Sequence, residues 1–267
     1  MTQRWKLTIE YDGSAFCGWQ KQDNGLGVQE CIERAIAAFA GQERVEITAA
    51  GRTDAGVHAL GQVAHVDIEN DTLDEKALRD ATNFHLRPHA ISVVRARRVD
   101  PDFSARMAAI HRVYCYRLLC GRWAPPVLET GRLWHVGHKL DVAAMNAAAK
   151  HLVGQHDFTT FRASECQAKS PVRSLTRLEV VEKTHTLGSG QGLELWAEGR
   201  SFLHHQIRNI TGTLKLVGEG KWQPDDVKAA LEARDRRAGG PTAPPEGLYF
   251  MRVDYDDPVT DALDSLL

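Results

Sequence analysis

Apolar residues recur along the chain with two different periods, and each change of period marks the border of a predicted element. Residues Trp5 to Tyr11 alternate with period two, which predicts a strand. From Val28 to Ala40 the apolar positions recur every three to four residues, which predicts a helix that ends at Gly41. The other patterns of this half are strands near 45–50 and 62–68, a helix near 74–86 ahead of Pro88, and a strand from Ile91 to Val99. The order β-α-β-β-α-β is the ferredoxin-like arrangement.

The second half follows a similar order. Its predicted strands are Ile110–Leu119, Arg132–Val136, Ser174–Lys183, Leu193–Glu198 and Gly247–Tyr255, and its predicted helices are Val142–Val153, Leu203–Val217 and Asp225–Arg234. The glycine-rich run from Gly188 to Gly192 predicts the turn of a hairpin. The pattern therefore predicts an α+β fold with two ferredoxin-like (βαββαβ) halves, residues 1–104 and 105–267.

Composition narrows the class of protein. Of the 267 residues, 43% are hydrophobic and 25% are charged, which is typical of a soluble globular protein. The net charge of −2 excludes a protein that coats nucleic acid by bulk charge. The arginines are unevenly placed, however, with eight between Phe84 and Arg122, while Val253 to Leu267 holds five Asp and no Lys or Arg. This asymmetry permits a local basic groove on a neutral protein, and scattered, solvated arginines are the alternative.

The chain contains no apolar run of about 18 residues, so we predict no membrane-spanning helix. Its N-terminus enters a strand pattern at once and lacks the apolar region of a signal peptide. The five cysteines form no Cys-x-x-Cys pair; they are Cys17, Cys31, Cys115, Cys120 and Cys166. We therefore expect reduced thiols and a cytoplasmic location.

Residues 51–59, which read Gly-Arg-Thr-Asp-Ala-Gly-Val-His-Ala, carry the strongest chemical signal. Asp54 lies on a loop between two predicted strands, where proteins often display catalytic groups. Gly56 allows close backbone approach or a positive φ. A solvated turn is the alternative for this stretch taken alone.

Two further segments contain side chains that are suited to binding or catalysis. If residues 110–119 form a strand, Arg112, Tyr114 and Tyr116 share one face, which suits base stacking and phosphate contact. Packed core tyrosines are the alternative.

On the helix predicted from Leu203, His204 and Arg208 share a face, and Arg208 is placed to meet a carboxylate. An Arg partner would lower the pKa of an Asp by about 1–3 units and keep it ionised.

The sequence predicts no metal site and no cofactor. The histidine pairs lack cysteines or carboxylates at ligand spacing, and adjacent histidines on a helix point about 100° apart. Those pairs are His85/His89, His135/His138 and His204/His205. The chain also has no P-loop, no dinucleotide fingerprint and no nucleophile elbow.

Taken together, these segments resemble the TruA family of tRNA pseudouridine synthases over nearly the whole chain. The matching patterns are Tyr11-Asp-Gly with Phe16-x-Gly-Trp-Gln, Gly51-Arg-Thr-Asp-Ala-Gly-Val-His, Phe103-Ser-Ala-Arg with Arg112-x-Tyr-x-Tyr, Asp157-Phe-Thr-Thr-Phe, Phe202-Leu-His with Arg208-Asn-Ile-x-Gly, and Glu246-Gly-Leu-Tyr. His205-Gln-Ile stands where members often have Met-Val before the Arg. The resemblance implies that the two halves form a continuous, mostly antiparallel sheet with helices on one side and a central cleft.

The resemblance also implies the reaction, in which uridine at tRNA positions 38, 39 and 40, in the anticodon stem-loop, becomes pseudouridine without a cofactor. It implies catalytic roles for Asp54, Tyr114 and Arg208. Asp54 would attack C1′ or C6, or remove the C2′ proton, and the sequence does not choose between these steps. The implied substrate-binding residues are Arg52, Tyr114, Arg112, Arg106, Gln20 and His58, with Arg52 filling the stack that the flipped base leaves. A homodimer is also implied, with tRNA as the partner.

Two other classes of protein share part of this pattern. A non-catalytic RNA-binding protein accounts for the Arg and Tyr strand but leaves the carboxylate loop unexplained, because Asp repels phosphate. An aspartic peptidase would account for Thr53-Asp54-Ala-Gly56, but that chemistry needs two carboxylates sharing a proton. The sequence contains no second motif of this kind.

Overall fold

The computed structural model describes residues 2–23, 25–184 and 189–256, and its elements follow the predicted order. Most of its strand pairings are antiparallel and helices alternate with strands along the chain, which confirms the mixed α and β fold class. The elements of the first half are strands β1 (Gln3–Tyr11), β2 (Ile47–Ala49), β3 (His58–Ile68) and β4 (Ile91–Val99), with helices α1 (Val28–Ala40) and α2 (Glu75–His85).

The elements of the second half also match their predicted positions, with two corrections. They are strands β5 (Ala109–Cys120), β6 (Trp134–Val136), β7 (Gly154–Asp157), β8 (Val172–Lys183), β9 (Gln191–Gly199) and β10 (Leu248–Tyr255), with helices α3 (Val142–Ala149), α4 (Gln206–Gly218) and α5 (Pro224–Ala233). Strand β7 was not predicted, because its four residues are too short to show alternation. Helix α4 begins at Gln206 rather than at Leu203, because His205 adopts a left-handed conformation.

Residues 185–188, which include the first residue of the turn predicted from Gly188 to Gly192, and the acidic stretch beyond Asp256 lie outside the described residues. The antiparallel pairing of β8 with β9 confirms the predicted hairpin. The described chain divides into two compact units. The first contains residues 2–53, 59–112 and 251–256, and the second contains residues 54–58 and 113–250. The predicted division at residues 104 and 105, the central cleft and the placement of helices on one side stay predictions.

In the first unit, hydrogen bonds join the strands in the order β4-β1-β3, and β2 pairs with the other edge of β3. These pairings are antiparallel, as a ferredoxin-like arrangement requires. Helix α1 buries Val28, Ile32 and Ile36 completely, one residue per turn along a single face. Gly41 ends the helix with a φ of 70°, which fits the prediction of a left-handed terminal glycine.

In the second unit, β8 pairs antiparallel with both β7 and β9. Helix α3 packs against α4 and α5. Helix α4 is buried on nearly every side, so it is an interior helix rather than an amphipathic surface one. The predicted packing face of Ile207, Ile210 and Leu214 is confirmed as buried.

A glycine allows α4 to approach the chain that follows α5. A Cβ added at Gly212 would lie 1.8 Å from the carbonyl oxygen of Pro241, well inside van der Waals contact. The hydroxyl of Thr213, the next residue of the helix, accepts a hydrogen bond of 2.9 Å from the amide of Gly240. Close backbone packing therefore fixes the position of α4 and of every side chain that it carries.

We expect Gly212→Ala to destabilise the protein, although alanine favours a helix interior by about 1 kcal/mol over glycine. The new methyl group must displace the Pro241 carbonyl, and such overpacking costs roughly 1–3 kcal/mol. Urea denaturation measures the free energy of unfolding. The control is Lys228→Ala on the exposed side of α5, which should change that free energy by less than about 0.5 kcal/mol. Unchanged or increased stability of Gly212→Ala would contradict this packing.

Candidate active site

The loop that carries Asp54 is anchored on its N-terminal side within the first unit. The Tyr11 hydroxyl lies 2.8 Å from the Thr53 hydroxyl, in hydrogen-bonding contact. The Trp19 amide donates to the Thr53 carbonyl over 3.0 Å, and the side-chain amide of Gln62 donates to the Gly51 carbonyl over 2.8 Å. These bonds hold the backbone on both sides of Arg52, whose side chain is exposed.

Beyond Thr53 the backbone turns sharply and belongs to the second unit. The Val57 amide donates to the Asp54 carbonyl over 3.2 Å and closes the turn. Gly56 has a φ of 77°, and a Cβ there would lie 3.0 Å from a side-chain carbon of Pro245. Both properties predicted for Gly56 are confirmed, because the position combines positive φ with close approach. The turn leaves the Asp54 side chain 22% exposed.

Arg208 contacts the Asp54 carboxylate, as the helix pattern predicted. Its Nη1 lies 3.2 Å from Oδ2 of Asp54, and the side chain is 13% exposed. Its Nε donates to the Ala243 carbonyl over 2.8 Å, while the Ala243 amide donates back to the Arg208 carbonyl over 3.1 Å. The Ala243 carbonyl therefore holds the guanidinium through Nε, the Ala243 amide holds the Arg208 backbone, and Nη1 is directed at Asp54.

Asn209, the next residue of the helix, connects α4 to three neighbouring segments. Its side-chain amide donates to the Phe161 carbonyl over 2.9 Å. Its Oδ1 accepts from Arg236 Nη2 over 3.1 Å and from the Thr242 hydroxyl over 2.6 Å. The Arg-Asn pair thus combines one residue directed at the carboxylate with one that fixes the helix.

Two histidines complete the surroundings of Asp54. The sequence places His204 on the face of Arg208 but predicts neither His204 nor His205 as a site residue. Nε2 of His204 lies 3.4 Å from Oδ1, and Nε2 of His205 lies 3.4 Å from Oδ2. Adjacent histidines within a helix would point apart, but both of these residues precede the helix. His205 has φ 60° and ψ 4°, and the two ring centroids are 4.0 Å apart. The carboxylate they meet comes from Asp54, far away in sequence, so ligand spacing gave no signal.

The charges around Asp54 favour its ionised form. Burial acts to raise the pKa of Asp54, but a hydrogen bond from His204 and the charges of His205, His204 and Arg208 outweigh it and lower the pKa below its ordinary value. The hydrogen bond to Asp54 raises the pKa of His204. Burial lowers the pKa of His205, and Asp54 only partly opposes this shift. The site therefore combines a carboxylate with one histidine that favours its charged form and one that favours its neutral form.

The tyrosines of strand β5 are both buried. Tyr114 stacks on Phe250 with ring centroids 4.5 Å apart and an angle of 9°, and it meets the edge of Phe202 at 5.1 Å. Tyr116 is fully buried, and its hydroxyl donates to the Pro244 carbonyl over 2.7 Å. Tyr116 is thus a packed core tyrosine, the alternative weighed for this strand. The catalytic role of Tyr114 stays a prediction.

The remaining predicted substrate-binding residues divide into exposed and buried groups. Arg52, Arg106 and Gln20 are exposed, so RNA can reach their side chains. Arg112 is buried, and its Nη2 donates to the carbonyls of Ala50 over 2.7 Å and Arg106 over 2.9 Å. These contacts favour a structural role for Arg112 over the predicted phosphate contact, because phosphate binding would require them to break.

His58 is also buried, within the second unit. Its Nε2 lies 2.9 Å from the Gly131 carbonyl oxygen, and its ring stacks on Tyr249 at 4.7 Å. This packing favours a structural role over the predicted substrate contact.

The arrangement around Asp54 supports two kinds of chemistry. An ionised, half-buried carboxylate acts as a nucleophile or as a general base, and the adjacent cationic groups stabilise negative charge that develops during reaction. Asp54, His204 and His205 also offer one metal-ligand atom each, all within 4.8 Å of one another.

Among the described residues, no helix is long and apolar enough to cross a membrane.

We expect Asp54→Asn to lower the pKa of His204, because the substitution removes the carboxylate that raises it. With a raised pKa, the His204–Asp54 contact contributes stability fully below the ordinary pKa of histidine and loses it as pH rises through the folded value. NMR titration of the His204 ring in both proteins measures the shift. The control is Glu232→Gln on the exposed side of α5, which removes a remote carboxylate. Equal midpoints for His204 in wild type and Asp54→Asn would contradict the geometry.

Comparison with known proteins shows the family to which the chain belongs. A profile described as tRNA pseudouridine synthase matches residues 7–106 and 148–256. The chain is 55% identical to tRNA pseudouridine synthase A of Rhodospirillum centenum over 253 residues, which cover 95% of this chain and all of that protein. It is 54% identical to tRNA pseudouridine synthase A of Sinorhizobium fredii over 254 residues, which cover 94% and 99% of the two chains. The protein therefore belongs to the tRNA pseudouridine synthase family.

Proposed function

We propose that this protein isomerises uridine to pseudouridine in tRNA, with Asp54 as its essential carboxylate. The observation that carries the proposal is the ionised carboxylate of Asp54 held between Arg208 and two histidines. Family membership supports the same reaction. The resemblance to the TruA family favours positions 38, 39 and 40 of the anticodon stem-loop as the sites of modification.

The isomerisation makes specific demands on these groups. The N1–C1′ bond breaks, the uracil turns, C5 joins C1′, and the proton on C5 leaves. Asp54 starts this sequence by attack at C1′ or C6 or by removal of the C2′ proton. Arg208 and His204 stabilise negative charge on the carboxylate and on the released uracil, since the Arg208 guanidinium lies 3.2 Å from Asp54 and the hydrogen bond to Asp54 raises the pKa of His204.

The uridine must leave the stem-loop stack to reach a half-buried carboxylate. Such base flipping costs a few kcal/mol. Arg52, which is exposed beside the turn, fills the vacated stack, and Tyr114 contacts the uracil and accepts or relays the C5 proton. Exposed Arg106 and Gln20 contribute RNA contacts. The pairing of an essential carboxylate with cationic side chains distinguishes this site from a surface that only binds phosphate.

We also infer that the protein is a cytoplasmic homodimer. Trp123, Val127 and Leu128 of the second unit are 85%, 82% and 80% exposed, and clustered exposed apolar side chains mark interaction surfaces. The five cysteines are all free thiols, which suits a reducing compartment.

Light scattering should give twice the chain mass at micromolar concentration. Trp123→Ser should shift the equilibrium toward monomer, because it removes the largest exposed apolar side chain of this cluster. A wild-type protein that is monomeric throughout would contradict the dimer.

We expect Asp54→Asn to abolish product formation while fold and tRNA binding persist, because the amide keeps the shape but is neither nucleophile nor base. The assay uses tRNA labelled with tritium at uridine C5, since C5 must lose its hydrogen when it bonds to C1′. Glu232→Gln is the matched control and should release tritium at the wild-type rate. Tritium release by Asp54→Asn near the wild-type rate would refute the role of Asp54. No release by the wild type from any tRNA would refute the reaction.

Tyr114→Phe should lower turnover more than tRNA binding, because the ring still stacks on Phe250 while the hydroxyl is lost. Single-turnover kinetics and filter binding on the same tRNA separate the two quantities. The control is Tyr255→Phe, whose hydroxyl donates to the Ala105 carbonyl over 2.7 Å. That substitution should cost stability of about 1 kcal/mol without a selective loss of turnover. Equal kinetics for Tyr114→Phe and wild type would remove Tyr114 from proton transfer.

A further inference from the structure

The carboxylate and the two histidines have the spacing of metal ligands. Nε2 of His204 and Nε2 of His205 each lie 3.4 Å from an oxygen of Asp54. Ligands about 2.1 Å from a tetrahedral Zn²⁺ ion are about 3.4 Å apart, so each imidazole nitrogen lies at ligand spacing from one oxygen of the carboxylate. One ligand atom from each of the three residues lies within 4.8 Å of the other two. We propose that Asp54, His204 and His205 bind a divalent transition-metal ion of the Zn²⁺ type, and that the bound ion inhibits the enzyme by occupying the carboxylate.

The ligand chemistry selects this class of ion. Imidazole nitrogens suit Zn²⁺, Co²⁺ and their neighbours, whereas Mg²⁺ and Ca²⁺ prefer sites made of oxygen ligands. Two histidines and one carboxylate supply three protein ligands and leave one position for water. Binding is thus compatible with a site that is open to solvent.

The backbone holds both imidazoles toward the carboxylate. The His204 carbonyl accepts from the Ala163 amide over 2.9 Å, and the His205 carbonyl accepts the 2.9 Å bond from the Asn209 amide that starts the helix. The left-handed conformation of His205 brings the two rings to the same side. On the outer side of His204, Nδ1 lies 4.0 Å from Oε1 of Glu165. A carboxylate in that position is the common outer partner of a metal-bound histidine.

The positive charge of Arg208 opposes the binding of a metal cation and makes that binding weaker. Its guanidinium lies 3.2 Å from Oδ2 of Asp54, so a dication bound to the carboxylate meets an adjacent positive charge. The site is therefore an inhibitory one that exchanges its ion reversibly, rather than a permanently occupied structural centre. A metal ion bound to Asp54 withdraws electron density from the carboxylate and occupies the space in front of it, so a bound ion opposes the proposed use of Asp54 as a nucleophile or base.

Co²⁺ is the probe, because four- and five-coordinate Co²⁺ absorbs strongly in the visible range and the hydrated ion does not. We expect one equivalent of Co²⁺ to bind the wild-type protein and Zn²⁺ to displace it. His204→Ala, His205→Asn and Asp54→Asn should each weaken binding by at least about 10-fold, the lower end of the loss that accompanies removal of an outer-shell partner. Asparagine is chosen at position 205 because it tolerates the left-handed conformation.

Two further variants make the test specific. His138→Ala removes an exposed histidine outside the cluster and should leave the Co²⁺ spectrum and affinity unchanged. Arg208→Met removes the opposing charge and should shift the Co²⁺ titration to lower concentration, which an unrelated surface site would not show. Absence of a visible Co²⁺ spectrum, retention of it in the histidine variants, or a near-ultraviolet thiolate band would overturn the proposal.

The inhibitory half of the proposal rests on the proposed function and is tested separately. Zn²⁺ should inhibit tritium release in proportion to its displacement of Co²⁺, and a chelator should restore the rate. Metal binding without inhibition would overturn the inhibitory half alone. An inactive wild-type enzyme that still gives the Co²⁺ spectrum would count against the proposed reaction and leave the metal site in place.

Discussion

The contact between Asp54 and Arg208 is the constraint on which the rest of the site depends. A half-buried carboxylate loses hydration, and that loss alone would favour its protonated form. The guanidinium and the two imidazoles reverse the balance, so the carboxylate stays ionised in partial burial. Such a group of charges contributes little net stability, because desolvation offsets much of the attraction. The effect of these charged groups is to favour the ionised form of the Asp54 carboxylate and to fix its orientation.

Several features away from Asp54 serve this contact. Gly56 lets the turn pass close to Pro245, and Gly212 lets helix α4 approach the carbonyl of Pro241. Ala243 holds the guanidinium of Arg208 through its carbonyl, and Asn209 fixes the helix to three neighbouring segments. These are backbone approaches and buried hydrogen bonds, which tolerate little displacement. The position of the Asp54 carboxylate thus depends on several backbone approaches and buried hydrogen bonds away from the carboxylate itself.

The two histidines show how one carboxylate can affect neighbours differently. His204 gains a hydrogen bond with Asp54, which raises its pKa, whereas burial dominates at His205 and lowers its pKa. The two imidazoles next to one carboxylate thus differ in their tendency to hold a proton, while both present a ring nitrogen to the carboxylate. The same geometry that keeps Asp54 reactive in the proposed isomerisation therefore also makes it open to capture by a transition metal.

The sequence by itself determined the order of elements, the extent of α1 and β4, the turn at Gly56 and the contact of Arg208 with a carboxylate. These depend on local periodicity, on the φ values open to glycine, and on family motifs that are contiguous in the chain. Only the tertiary structure decided that His204 and His205 surround Asp54, and that the contacts of Arg112 and His58 are with the protein's own backbone carbonyls and rings. It also moved the start of α4 to Gln206. The physical reason is that these outcomes depend on contacts between distant residues and on one left-handed residue, neither of which leaves a periodic signal in the sequence.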